Sequence, residues 1–223
     1  MYSVSINNLI KQLKKLPSVG VHTAERFVFY WLRSGKKDVT ELMLALKELI
    51  ENVKSCEMCW NFSDQSPCPI CTDIKRDQSL ICVVASPQDL AAIEQIHEYR
   101  GRYHVLRGTL DAADEESVRK IKINELLERI RPPSPQPPPF RERETPVPPL
   151  QKEGVRGSSN IQEIILALNP DLPGETTMMY LQKKIKELNP TIKITRLARG
   201  LPMGSDVQYA DEITLASALK NRM

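Results

Sequence analysis

Cys56, Cys59, Cys68 and Cys71 form two C-x2-C hooks separated by eight residues, a spacing suited to a tetrahedral metal. Each hook can wrap a tight turn around one edge of the ion, and the spacer returns the chain to supply the other edge. Four thiolates favour Zn²⁺ and close its coordination shell, so such a site is structural and leaves no position for a reacting water. Two disulfides, a redox C-x2-C or an iron–sulfur cluster are the competing uses of the same residues. The N-terminal stretch, MYSVSINNLIKQLKKL, has neither an apolar run nor a small-residue cleavage site, so a secretory route is not expected and the thiols should stay reduced. A redox motif would not need its duplicate. The expectation is one structural Zn²⁺ per chain. The fifth cysteine, Cys82, lies in the apolar run Leu80–Val84 and reads as an inert buried residue.

A second chemistry is concentrated at the N-terminal end. Residues 1–37 hold Lys11, Lys14, Lys15, Arg26, Arg33, Lys36 and Lys37 against Glu25 alone, a local charge of +6. The whole chain carries only +3, so the remainder is near −3. A basic end on a nearly neutral body points to a polyanion contact at that end, although a solvated lysine-rich helix face has the same composition.

The elements around these residues follow from periodicity. Leu9, Ile10, Leu13 and Leu16 have helical spacing that Pro17 ends, and Ala24, Phe27, Val28, Trp31 and Leu32 mark a second helix. Between them, Leu16-Pro17-Ser18-Val19-Gly20 is a short hairpin. Glycine there would let the backbone approach a phosphate, with the amides and dipole of the next helix facing the anion. Lys14, Lys15, Val19, Gly20, His22 and Arg26 are the candidate DNA-contacting residues. An ordinary packing hairpin is the bland alternative. Asp38 with Glu41 reads as a capping box for a third helix carried by Val39, Leu42, Leu46, Leu49, Ile50 and Val53.

From Leu80 the pattern changes to strand–helix alternation. Leu80–Val84 reads as a strand buried on both faces, and Ser86-Pro87-Gln88-Asp89 as a helix start with Ser86 as N-cap. Tyr103–Leu106, Glu163–Leu168 and Ile192–Leu197 are further strands, with a helix over Thr176–Leu188. This alternation implies a mostly parallel, three-layered α/β sheet. Residues 131–159 interrupt it with nine of the seventeen prolines. They read as a flexible, partly polyproline-II insertion, with a proline-recognising partner as the minor alternative. No apolar run approaches the ~18 residues of a membrane helix.

Taken in order, these pieces resemble the bacterial recombination mediator family RecR. The resemblance rests on Leu16–Gly20 with Thr23-Ala24-Glu25-Arg26, the four cysteines, Ile81–Asp89 and Gly101–Leu106. It continues through Ala167-Leu168-Asn169-Pro170, Gly174-Glu175-Thr176, Arg199–Gly204 and Tyr209–Leu215. It implies a helix–hairpin–helix DNA-binding unit over 1–54, a four-cysteine zinc finger over 55–73, a Toprim domain over 79–198 and a C-terminal tail segment over 199–223. It also implies a homo-oligomer, a dimer or a tetramer ring, in the cytoplasm with the nucleoid. The implied partners are RecO, RecF and gapped or junction DNA, bound without sequence preference.

Departures from that family pattern bear on function. A catalytic Toprim site has a glutamate after its first strand, where this chain has Ala85. The family's later paired acids are replaced by Asn169-Pro170, with Asp171 nearby and only Glu175 following Gly174. Two-metal chemistry needs several carboxylates converging on ions ~4 Å apart. Asp89 and Glu175 therefore read as remnant acids, and Mg²⁺ is not expected. In the hairpin, Ser18 replaces the first glycine of the usual motif and His22 stands where a lysine is common. The expected function is a non-catalytic mediator of recombinational repair that loads recombinase on gapped DNA. The alternatives are a Mg²⁺-dependent Toprim nuclease or primase-like enzyme, and a purely structural zinc-stabilised assembly protein.

Overall fold

The computed structural model describes residues 2–111, 117–132, 161–198, 200–201, 204 and 206–220. The chain divides into two compact units, Met1–Lys54 and Ser55–Met223. Most of the proline-rich insertion lies outside the described residues.

The first unit is three helices: α1 (Val4–Leu13), α2 (Val21–Ser34) and α3 (Lys36–Asn52). Ser3 caps α1, its hydroxyl accepting from the Ile6 amide. The helix ends at Leu13, before Pro17, so Leu16 lies in the hairpin and is exposed, where the periodicity had put it on the helix. Ile10, Ala24 and Val28 form the buried centre, with Ile6, Leu13 and Val19 packed against them. Asp38 does not cap α3. Gly35, at φ +101°, turns the chain so that α3 begins at Lys36, which leaves Asp38 inside the first turn with no capping bond of its own. There its charge still favours the helix dipole. No residue of α3 is buried; Val39, Leu42, Leu46, Leu49 and Ile50 form an apolar stripe left open to solvent.

β1 (Lys54–Ser55) spans the boundary between the units, and β2 (Phe62–Ser63) and the short helix α4 (Pro69–Thr72) follow in the second. There follow β3 (Asp77–Val84), α5 (Pro87–Gln95), β4 (Gly101–Val105), α6 (Ser117–Lys120), α7 (Ile123–Ile130), β5 (Glu163–Ala167), α8 (Leu172–Leu188), β6 (Lys193–Arg196) and α9 (Glu212–Lys220). β1 and β2 pair with each other, and the larger sheet has the order β4-β3-β5-β6 with every pairing parallel. The expected α/β sheet is therefore present.

Its three layers follow from the alternation along β3. Ile81 and Val83 point to a core completed by Ile123, Leu126, Met178, Leu181 and Ile185 from α7 and α8. Cys82 and Val84 point the opposite way, onto Leu90 of α5 and Tyr103 and Val105 of β4. A central strand covered on both sides must read as a continuous apolar run, and this one does. Burial pushes the Cys82 thiol up to about 12, which removes its thiolate and leaves it an inert core group.

Candidate functional site

Three sites hold the residues singled out above, beginning with the cysteines. All four sulfurs lie within 4.8 Å of one another, every cysteine is buried, and none is in a disulfide. Cys59 and Cys68 Sγ are 3.6 Å apart. A tetrahedron with Zn–S bonds of ~2.3 Å has edges of about 3.8 Å, so the donor set fits zinc. Local backbone bonds shape each hook. In the first, the Trp60 amide donates to Cys56 O at 2.9 Å and the Cys56 amide to Asn61 O at 2.8 Å. In the second, the Cys71 amide donates to Cys68 O at 2.9 Å as Pro69 opens α4. The Cys68 amide donates to Cys56 Sγ at 3.3 Å, an orienting contact of the kind that stabilises a bound thiolate. Hydrogen bonding among the sulfurs, that with Cys59 foremost, holds Cys56 well below the usual thiol range.

The knuckle is tied to the sheet by residues far away in sequence. The Val105 amide of β4 donates to Cys59 O at 2.8 Å. Arg107, just beyond β4, donates from Nε to Trp60 O at 2.9 Å and from Nη2 to Ser55 Oγ at 2.8 Å. Its guanidinium also lies 4.2 Å from the centroid of the Phe62 ring. Lys122 Nζ sits 4.2 Å above the Trp60 ring and pairs with Glu125 at 2.6 Å. Arg129 of α7 donates to Met58 O and Tyr103 O.

In the helical unit, Lys14 and Lys15 are exposed at the end of α1, and Val19 tucks into the small core. Ser18 adopts φ +63°, a left-handed conformation that serine tolerates poorly and glycine freely. Gly20 is the N-cap of α2 and supplies no side-chain bond to the first amides, which have no partner within the helix. A Cβ at Gly20 would meet nothing within 4 Å, so the backbone at Gly20 is open to approach. His22 is exposed and pairs with Glu25 at 3.4 Å. Arg26 is exposed and, among the described residues, has no ion pair.

At the carboxyl ends of β3 and β5 lies an open cavity of about 510 Å³, lined by Ala85, Ser86, Asp89, Arg107, Asn169 and Asp171 among others. Ligand sites of parallel sheets form at this edge. Asp89 completes a capping box with Ser86: its Oδ2 accepts from the Ser86 amide at 2.9 Å and hydroxyl at 2.8 Å. Asp171 caps α8, its Oδ1 accepting from the Gly174 amide at 2.7 Å. Gly174 has to be glycine here, because a Cβ would lie 2.0 Å from Asn169 O. Glu175 is not among the residues lining this cavity; it pairs with Arg196 of β6 at 3.3 Å.

Residues 6–50 match the RecR helix-hairpin-helix family, 53–73 the RecR four-cysteine zinc finger domain, 79–198 the Toprim domain and 200–223 the RecR C-terminal segment. Over 222 residues the chain is 39% identical to the recombination protein RecR of Gloeobacter violaceus, covering 100% of this chain and 98% of that one. It is 41% identical over 217 residues to the RecR of an Anaeromyxobacter species, covering 97% of this chain and 96% of that one. The chain belongs to the RecR family.

As a RecR protein it carries a four-cysteine finger whose cofactor is structural zinc, and Cys56, Cys59, Cys68 and Cys71 are the residues placed to hold it. Bound there, the ion cross-links two turns and does no chemistry of its own. Among the described residues these cysteines are the only group of three or more side chains placed as metal ligands. The structure brings Asp89 to the RecR Toprim edge together with Asp171, which the sequence reading left out of the site, and turns Glu175 toward β6. No helix of the described residues is long and apolar enough to cross a membrane. Arg107, Lys122 and Arg129, the residues that fix the finger, gave no signal in the sequence beyond their charge.

Proposed function

We propose that this RecR protein is a non-catalytic mediator that binds gapped or junction DNA through its helix–hairpin–helix and works with RecO and RecF in loading recombinase. The observation that carries the reading is the start of α2, where amides without a side-chain cap, an open approach at Gly20 and the exposed Arg26 coincide. Such a helix start accepts phosphate oxygens of any sequence. Lys14 and Lys15 add phosphate-binding charge, and the exposed His22 adds a further polar contact. Support for a non-catalytic Toprim edge comes from Asp89 and Asp171, whose oxygens are held as helix caps. RecO and RecF follow from the family resemblance.

We assign the helical unit 1–54 to DNA, the finger 55–73 and Toprim domain 79–198 to the scaffold, and the tail 199–223 to assembly. The apolar stripe of α3, uncovered within its own unit, supports a homo-oligomer formed with further copies of the chain. The setting is the cytoplasm, beside the nucleoid. The test is titration of labelled gapped DNA with full-length protein across a salt series, with and without Mg²⁺. Sequence-independent binding that weakens with salt, with no cleavage or synthesis, is expected. Mg²⁺-dependent cleavage or synthesis would make it an enzyme, and an absence of binding would leave an assembly protein.

A further inference from the structure

We propose that Arg129 is the outer-shell cation of the zinc centre, balancing the tetrathiolate and joining its charge to the Toprim sheet. Zinc bound by four thiolates carries a net charge of −2, and here all four cysteines are at most 3% exposed. A buried anion of that size needs compensation close by. The Cys68 amide on Cys56 Sγ supplies one dipole but no charge. Arg129 supplies the charge. Its Nη1 donates to Met58 O at 3.1 Å, inside the first hook, and to Tyr103 O at 2.7 Å on β4. Among the described residues it has no carboxylate partner, although its side chain is only partly exposed.

The electrostatic surroundings agree. Desolvation pulls the Arg129 guanidinium down, and the groups that oppose this are the sulfurs of Cys71, Cys59 and Cys56. A guanidinium stays charged through any ordinary pH, so it is a fixed counter-charge. Arg107 provides the contrast. It straps the same knuckle, but its contacts are Trp60 O, Ser55 Oγ and the Phe62 ring. It is a mechanical tie, whereas Arg129 is also an electrostatic one.

The experiment compares full-length wild type, R129M, R129K and R107M, each first shown to bind one metal per chain. Zinc affinity is measured by competition with a chromogenic chelator at fixed pH and salt. Co²⁺ substitution reports the thiolate set through its charge-transfer absorption. Loss of an outer-shell partner typically weakens metal binding by roughly 10–100-fold. R129M is expected to fall in that range with an unchanged Co²⁺ spectrum, R129K to recover most of the affinity, and R107M to lose far less. Wild-type affinity in R129M would overturn the proposal. So would R107M losing as much as R129M, or R129K being as weak as R129M, since each makes the residue a strap and nothing more. If R129M does not fold, R129K against R107M decides.

Discussion

His22 Nδ1 lies 3.4 Å from Glu25 Oε2, and among the described residues Arg26 has no ion-pair partner. Glu25 is the one acid among the seven cations of residues 1–37, and the side chain it meets is His22 rather than its sequence neighbour Arg26. On a helix, residues three apart share a face whereas adjacent ones do not. Arg26→Ala should therefore weaken DNA binding equally across sequences and lower the magnitude of the log-affinity against log-salt slope by about one. Its helical content should not change. Lys14→Ala should behave alike. Unchanged affinity and slope in the folded double variant would move the DNA contact off this surface.

Removing the metal should be far more damaging than removing a phosphate contact. Structural zinc contributes roughly 10–16 kcal/mol in small finger peptides, comparable to the ~5–15 kcal/mol stability of a whole domain. Cys68→Ser removes a ligand and also disturbs the amide donated to Cys56 Sγ. Elemental analysis should find one zinc in the wild type and well under one in the variant. The cooperative unfolding of the second unit should shift to lower temperature, because β4 loses the bond between the Val105 amide and Cys59 O. A variant retaining full zinc and full stability would show that Cys68 is not a ligand.

What the sequence made legible was whatever its own local spacing determines. Two C-x2-C hooks announce a metal within sixteen residues, and Leu80–Val84 announces a strand covered on both faces. Ser86 and Asp89 announce a helix start, and the capping box forms with both halves in place. Asp38 and Glu41 have the same three-residue spacing and form none, because Gly35 starts α3 three residues sooner. That outcome depends on a backbone dihedral that residue types alone do not state. The straps were out of reach for a different reason. Arg107 meets Trp60 across 47 positions and Arg129 meets Met58 across 71, distances at which only the closed sheet brings groups together. Asp171 was in view but its place on the cavity wall was not, since that requires Gly174 to press against Asn169 O.

His104 makes stability depend on pH in a defined direction. It is fully buried, and its Nε2–H donates to Lys122 O at 2.7 Å, while Nδ1 has no hydrogen-bond partner among the described residues. Burial first, then the nearby charge of Arg129, pushes its pKa down to about 3. The unfolded chain takes up a proton below the ordinary value of ~6.5, and the folded chain does not until about 3. The contribution is thus fully present above pH 6.5 and is lost as pH falls toward 3. At pH 5 the loss from this residue is about 2 kcal/mol. Urea unfolding of zinc-loaded protein at pH 7 and pH 5 should show His104→Gln losing less than wild type by about that amount. An equal loss in both proteins would place the ring in contact with water.

Asp89 separates a helix cap from a metal ligand. Its Oδ2 accepts from both the amide and the hydroxyl of Ser86, while the Ser86 hydroxyl accepts from the Asp89 amide at 3.3 Å. The carboxylate also sits in the first turn of α5, where the dipole favours a negative charge. Asp89→Ala removes two accepted bonds and that charge, and should cost about 1–2 kcal/mol of stability. Asp89→Asn keeps an acceptor and should cost less. Mg²⁺ should change neither the wild-type melting temperature nor the difference between variants. A carboxylate held for a metal would behave in the opposite way: removing it relieves repulsion with Asp171 across the cavity, so Asp89→Ala would gain stability without Mg²⁺ and lose a Mg²⁺-dependent increase. Melting curves of the three proteins, with and without Mg²⁺, distinguish the two. A Mg²⁺-dependent rise in wild type that Asp89→Ala abolishes would return this edge to the catalytic Toprim class.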